Sequence, residues 1–222
     1  MSHDDLMKSL KELSCEIREN EHSDSAHIKC AELVVQHPAW CYFSHVEGVT
    51  YVIAATLLSY IDFENIIYVS QIYGYCGYSY SSNHDGKGYN SYMKKVLDNL
   101  ANEFIKNDSE YSLYYWDKVI SEVGDENNKK SLKHIDKISR RYMMQRFLRD
   151  CYEAVRCTLG LEIKDGCAEK KGKKHYVNNE TNWRQFCDLD EHKLQLRHYA
   201  YKQVVEVKRS IAKELIDEHN YE

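Results

Sequence analysis

Residues 131–159 read SLKHIDKISRRYMMQRFLRDCYEAVRCTL and contain the longest periodic pattern in the chain. Apolar residues recur there at spacings of three and four, which is typical of one buried face of an α-helix. Gly160 follows directly, and glycine commonly ends helices. The stretch therefore predicts a long helix, and a mainly α fold built around it. Its apolar positions are Leu132, Ile135, Ile138, Tyr142, Leu148, Cys151, Val155 and Leu159.

A second long helix is predicted at the end of the chain. Asp188 or Asp190 can cap it, and its periodic pattern extends to about Glu218. Two neighbouring helices of this length pack naturally as an antiparallel hairpin. The predicted fold is therefore an irregular helical bundle with a long C-terminal helical hairpin. We expect the inner face of the last helix to consist of Leu194, Tyr199, Val204, Val207, Ile211 and Leu215.

Residues 63–73, FENIIYVSQIY, are ambiguous. The spacing of Ile66, Val69 and Tyr73 fits a helix that Asp62 would cap. The β-branched and aromatic content also fits a strand. A helix is preferred, with a minor strand around 66–73 as the alternative.

Composition places the chain among globular proteins. It has 222 residues, of which 43% are hydrophobic and 29% are charged. The longest apolar run, residues 49–61, is too short to cross a bilayer. The N-terminus lacks the basic and then apolar pattern of a secretory signal, so a cytoplasmic location is expected. The eight cysteines include no C-x-x-C pair and are expected to be mostly buried free thiols.

Charge is distributed unevenly along the chain. Residues 1–125 carry a net charge of −10, whereas residues 126–222 carry +5. This contrast, with a polar break at 124–128, predicts an acidic helical region followed by a basic hairpin, packed as one globular unit.

The segment 129–149 has a net charge of +7. Such a segment attracts an acidic protein surface or a phosphate backbone. Its predicted contact residues are Lys133, Lys137, Arg140 and Arg141. The alternative is a solvated helix face that neutralises the acidic part of the same molecule. Nucleic acid binding is a further alternative, although a pI near 6.1 is not typical of a dedicated nucleic acid binder.

Residues 74–91, GYCGYSYSSNHDGKGYNS, are predicted to form a loop because glycine, serine and asparagine interrupt regular structure. Tyrosine surrounded by these small residues is typical of binding loops. The alternative is a set of half-buried tyrosines with hydroxyls at the surface. The predicted partner-binding tyrosines are Tyr73, Tyr75, Tyr78, Tyr80 and Tyr89.

Common catalytic motifs are absent from the sequence, including the phosphate-binding loop and H-E-x-x-H. His84, Asp85 and Lys87 would be the centre of an alternative metal-dependent enzyme acting on nucleic acid or nucleotides. A zinc site is a second alternative, because its ligand types occur close together in the chain. No metal and no cofactor is nevertheless predicted. The possible zinc ligands are His27, Cys30, Cys41 and His45.

These features favour a non-catalytic protein–protein interaction protein that uses the tyrosine-rich loop and the basic helix. The abundance of Lys, Asn, Ile and Tyr is typical of an AT-rich genome such as that of a phage or another mobile element. The expected partner is then a larger assembly, such as a host defence complex or a viral particle, and not a membrane. Either long helix would also suit self-association, for which a homodimer is the commonest form.

Overall fold

The computed structural model describes residues 1–20, 23–79, 88–164 and 191–221, with the side chains of the last helix from 195 to 218. This part of the chain forms nine α-helices, which confirms the mainly α bundle. Its β-structure is limited to an isolated parallel bridge between Tyr68 and Lys164. The helices are α1 His3–Glu19, α2 Asp24–Val34, α3 Trp40–Phe43, α4 Tyr51–Tyr60, α5 Val69–Tyr75, α6 Ser91–Lys106, α7 Ser112–Val123, α8 Leu132–Thr158 and α9 Glu191–Tyr221.

The N-terminal helices form a small layer in which α1 packs on α2 and α4, and α2 packs on α4. Each begins where a hydroxyl side chain accepts a hydrogen bond from a backbone N–H of the first turn. None of the helices in the described part of the chain has both the length and the apolar composition needed to cross a membrane. The capping residues of this layer are Ser2, Ser23 and Thr50.

Helix α8 lies at the centre of the bundle and contacts α3, α5, α6 and α7. Its observed bounds agree with the predicted ones to within a residue at each end. Gly160 then adopts a φ of +70°, the left-handed conformation that ends a helix most easily in glycine. One hydrophobic cluster draws residues from both sides of position 125, so the acidic and basic regions share a core.

Helix α7 packs against both α8 and α9. The hairpin prediction, in which α9 packs on α8, is therefore corrected: α7 is the main neighbour of α9. The physical reason is electrostatic, because basic residues of α9 pair with acidic residues in and just before α7. Two of these pairs are Arg197 with Glu110 and Lys208 with Asp117.

The face of α9 that enters the core is also not the predicted one. Val205 and Ala212 are fully buried, and Leu215 packs partly buried against the core. The residues expected to line the inner face are instead exposed, except for Leu215 and for Leu194, whose side chain lies outside the described part. Each helical residue rotates by about 100°, so Val205 and Val207 point to nearly opposite sides. The four exposed residues are Tyr199, Val204, Val207 and Ile211.

Residues 63–67, which we call the 63–67 turn, consist of a turn at 63–65 and two irregular residues, and not of the first part of a helix; α5 begins only at Val69. The cause is Arg156, a side chain of α8 that is 7% exposed. Its Nη1 donates hydrogen bonds to the carbonyls of Phe63 at 2.7 Å, Glu64 at 3.2 Å and Ile66 at 2.7 Å. These carbonyls can meet one guanidinium only if the backbone curls around it. Both the helix over 63–73 and the strand around 66–73 are therefore corrected.

We expect Arg156→Met to lower the free energy of unfolding by about 3 kcal/mol, because it leaves several buried carbonyls without a donor. Urea denaturation followed by circular dichroism measures this change. Lys137→Met is the matched control, since Lys137 is an exposed cation on the same helix. The control should stay within about 0.5 kcal/mol of the wild type. Equal effects of the two substitutions would show that Arg156 does not hold the 63–67 turn.

Candidate interaction surface

The predicted tyrosine loop begins later than expected, because α5 continues to Tyr75. Tyr73 is half-buried against the core, and this burial raises the pKa of its phenol. The hydroxyl of Tyr75 accepts a hydrogen bond from Asn90 Nδ2 at 2.6 Å. The backbone N–H of Asn90 also donates to the carbonyl of Tyr75 at 2.8 Å. Both tyrosines are thus held by the fold.

Tyr78 is a core residue that is only 2% exposed. Its hydroxyl donates to Asp98 Oδ1 at 2.7 Å, and Lys94 Nζ lies 3.7 Å from its ring centroid. The structure therefore corrects the expectation that its ring is available at a surface. Tyr89 is exposed, and Tyr80 lies outside the described residues. Partner binding through the remaining tyrosines stays a prediction.

The four basic residues predicted to bind a partner have different surroundings. Lys133 and Lys137 are exposed, whereas Arg140 and Arg141 are half-buried. The Nε of Arg140 donates to both carboxylate oxygens of Asp136, at 2.9 and 3.0 Å. The two lysines are the more accessible charges, and their contact with a partner stays a prediction.

Other cations of segment 129–149 are paired within the molecule. Lys130 lies 2.7 Å from Glu122, and Arg149 lies 2.7 Å from Glu153. Lys118 and Lys130 together lower the pKa of Glu122 to about 2. Part of the positive charge of the segment is thus neutralised by the fold, as the solvated-face alternative expected.

A row of large apolar side chains is exposed on α9. Five large side chains, which we call the outer stripe, lie on the side of this helix that faces away from α7 and the core. Each of them is between 42% and 66% exposed. They recur at spacings that keep them on one face over about 22 Å of helix. The outer stripe consists of Leu196, Tyr199, Val204, Val207 and Ile211.

Ion pairs hold α9 in the rotation that exposes the outer stripe. On its docked side, Arg197 lies 3.3 Å from Glu110 and Lys202 lies 2.9 Å from Glu47. Two more pairs follow along the helix. A rotation that buried the outer stripe would break these contacts, so the exposed apolar face is part of the folded state. The two further pairs are Lys208 with Asp117 and Arg209 with Asp108.

A polar cleft of about 380 Å³ lies between α1, the end of α4 and the 63–67 turn. At its edge, His3 Nε2 lies 2.9 Å from Glu64 Oε1. His37 also lines the cleft, and its Nδ1 accepts a hydrogen bond from the backbone N–H of Ala39 at 3.1 Å. Burial, assisted by His3, lowers the pKa of His37 to about 4, so its imidazole is neutral. The sequence gives no signal for this cleft, because its histidines and acids are far apart in the chain.

The possible zinc ligands do not come together. His27 Nδ1 lies 2.9 Å from the hydroxyl of Tyr51. Cys30 is fully buried, and burial raises the pKa of its thiol to about 11. Within the described ranges, no group of three or more His, Cys, Asp or Glu residues is placed to hold a metal ion. The alternative centre at 84–87 lies outside those ranges.

A chain of hydrogen bonds links buried polar side chains in the core. Tyr111 donates from its hydroxyl to Asp150 Oδ2 at 2.8 Å, and the hydroxyls of Tyr42 and Tyr111 are 2.7 Å apart. Burial raises the pKa of Asp150 to about 7, although Tyr111, Arg146 and Arg149 oppose this shift. Perturbed carboxyl groups often mark functional sites. Asp150 does not line the described cleft, so we interpret this network as structural.

Comparison of the chain with protein-family models, with curated proteins and with solved structures found no match. No activity or ligand is therefore transferred from another protein. The outer stripe, with five large side chains exposed on one face of a helix, is the candidate interaction surface, since exposed apolar patches often mark protein–protein interfaces.

We expect Tyr78→Ala to lower the free energy of unfolding by about 3–5 kcal/mol, because it empties a buried site and removes the hydrogen bond to Asp98. Tyr89→Ala removes an exposed ring nearby and should cost about 1 kcal/mol or less. Thermal and urea denaturation of both variants measure the difference. Similar small losses in both would show that the Tyr78 ring is not part of the core.

The buried carboxyl of Asp150 predicts a pH-dependent stability. Below about pH 4 the group is protonated in both the folded and unfolded states. As the pH rises towards about 7, the unfolded chain releases this proton while the folded chain retains it, so stability is lost. Burial also raises the pKa of Glu110, although Arg197 opposes this shift, and this group acts in the same direction in every variant that retains it.

Comparison with Asp150→Asn isolates this contribution. Between pH 4 and pH 7, we expect the unfolding free energy of the wild type to fall by about 2 kcal/mol or more relative to that of the variant. Urea denaturation at several pH values provides the measurement. A difference that stays constant over this range would show that Asp150 is ionised in the folded protein.

Proposed function

We propose that the protein is a non-catalytic interaction protein that binds a helix of a partner through the outer stripe. The observation that carries this proposal is the exposure of five large apolar side chains on the free face of an ion-paired helix. Exposed apolar patches of this kind commonly mark protein–protein interfaces. Tyrosine, which the outer stripe contains at Tyr199, is one of the residues that supply most of the binding energy at such interfaces.

The shape and charge of the surface indicate the kind of partner. A straight apolar stripe on one helix fits the apolar face of a second helix. Beyond Ile211 the same helix exposes Glu214, Asp217 and Glu218. A partner helix that carries positive charge next to this acidic end would be favoured.

We extend this proposal to a partner that belongs to a larger assembly. The composition supports an origin in a phage or another mobile element, for which a host defence complex or a viral particle is a suitable partner. The exposed residues Lys133 and Lys137 offer a second contact, which would suit an acidic surface of the partner. The exposed ring of Tyr89 offers a third contact. Nucleic acid is the second candidate ligand, and the positive charge of the same two lysines is the observation that favours it.

The test is a capture experiment followed by reconstitution. Tagged wild type, Val207→Glu and Gln195→Glu are used to capture proteins from the cells that encode the chain, with and without nuclease. A captured protein is then purified, and its affinity for each variant is measured by calorimetry. Val207→Glu places a charge in the centre of the stripe and should weaken binding at least 30-fold, about 2 kcal/mol. Gln195→Glu adds the same charge at an exposed position outside the stripe and should leave the affinity unchanged.

Two results would contradict the proposal. A purified partner that binds Val207→Glu as tightly as the wild type does not use the outer stripe. A ligand that is lost on nuclease treatment, and whose binding falls steeply with salt, is nucleic acid. Charge reversal of Lys133 and Lys137 should then abolish its binding.

A further inference from the structure

We propose that the outer stripe binds the outer stripe of a second copy of this chain, in an antiparallel pair of α9 helices. This inference rests on the proposed function, because it names the partner of the same surface. The described helix already has the properties required of the partner, namely helical form and an apolar face that is exposed in the described part of the chain.

The stripe is complementary to itself in the antiparallel direction. Its first and last large residues are Leu196 and Ile211, so its midpoint lies between Gln203 and Val204. A two-fold axis at this midpoint places Leu196 of one copy opposite Ile211 of the other. It also places Val207 opposite the small, exposed residue Ala200. A large residue thus meets a small one near the centre, which lets two helices approach closely.

Charge favours the antiparallel over the parallel direction. Glu214, Asp217 and Glu218 are exposed at the carboxyl end of the helix. A parallel pair would bring the acidic ends of both copies together, and like charges repel. An antiparallel pair instead separates the two acidic ends and places each beside the amino end of the other helix, where α9 carries Lys193 and a partial positive charge together with the single acid Glu191. By register, Glu214 then lies at the level of Lys193 in the second copy.

The area is sufficient for a reversible dimer. A fully exposed large apolar side chain presents roughly 150–200 Å². With the exposed fractions of the five residues, the outer stripe amounts to roughly 500 Å² on each copy, so a pair buries about 1,000 Å², the lower end of specific interfaces. Interfaces of this size are typical of weak and transient complexes, and we expect a reversible dimer with a dissociation constant of about micromolar order.

Sedimentation velocity of the full chain tests this inference at concentrations from about 1 to 100 µM, which bracket the expected dissociation constant. The wild type should shift from the 26.2 kDa monomer to twice that mass as concentration rises. Val207→Glu should remain monomeric throughout, whereas Gln195→Glu should dimerise like the wild type. Circular dichroism confirms that each variant is folded, and Ile211→Gln provides a second stripe variant that adds no charge.

Cross-linking tests the direction of the helices. Gln203→Cys lies at the proposed two-fold axis and should form a disulfide with its counterpart on mild oxidation. Glu214→Cys should not, because the two copies of residue 214 are about 30 Å apart in an antiparallel pair. Mass spectrometry of the cross-linked peptides separates these bonds from those of the native cysteines.

A wild type that is monomeric at every concentration overturns the dimer, as does a dimer that Val207→Glu leaves intact. Equal cross-linking at positions 203 and 214 overturns the antiparallel arrangement. None of these results alone removes the proposed function, which fails when a purified partner binds independently of the outer stripe or when the captured ligand is nucleic acid.

Discussion

The ion pairs between α9 and the acidic residues around α7 determine which face of α9 meets the core. Exposed ion pairs each contribute only about 0–1 kcal/mol. Here they act together to select one rotation of a helix that has two apolar sides. The pair formed by Arg197 and Glu110 is the least exposed, with 16% and 10% of the two side chains accessible. Separating it would leave a buried polar group without its partner, which costs more than an exposed pair contributes.

The selected rotation has an unusual consequence for burial. The core receives Val205 and Ala212, with Leu215 partly buried beside them, while the five large apolar residues of the outer stripe remain exposed. A helix normally buries its larger apolar face, because buried area is the main favourable term in folding. Exposed residues such as Tyr199 and Val207 therefore lie where burial against another protein would be favourable. This connects the uneven charge of the chain to its proposed function: acidic residues of the 1–125 region pair with basic residues of α9, and the outer stripe remains exposed.

Much of the fold can be predicted from the sequence where local signals agree. The pattern over 131–159 combines strong periodicity with clear ends, and it forms a helix with nearly the expected bounds. The 63–67 turn could not be predicted, because Arg156 in a distant helix determines the path of this backbone. Tyr78 was expected at a surface because glycine and serine surround it, yet Asp98 and Lys94 provide partners for its hydroxyl and ring inside the core.

The candidate surface, too, could be predicted from the sequence only in part. Four of its five residues were identified as one apolar face of the last helix, but they were assigned to the core. Periodicity groups residues on a face and does not say which of two apolar faces is buried. That choice depends on acids such as Asp108 and Asp117, which are about a hundred positions away in the chain.

The most direct test of this account is the protection of residue 212 from thiol labelling, measured by peptide mass spectrometry in Ala212→Cys. Lys213→Cys is the exposed reference one residue further along the helix. If α9 docks through its Val205 and Ala212 face, the cysteine at 212 will remain unmodified for as long as the protein stays folded, while the cysteine at 213 reacts rapidly. Equal rates at the two positions would show that α9 does not dock in this rotation, and the outer stripe would lose its physical basis.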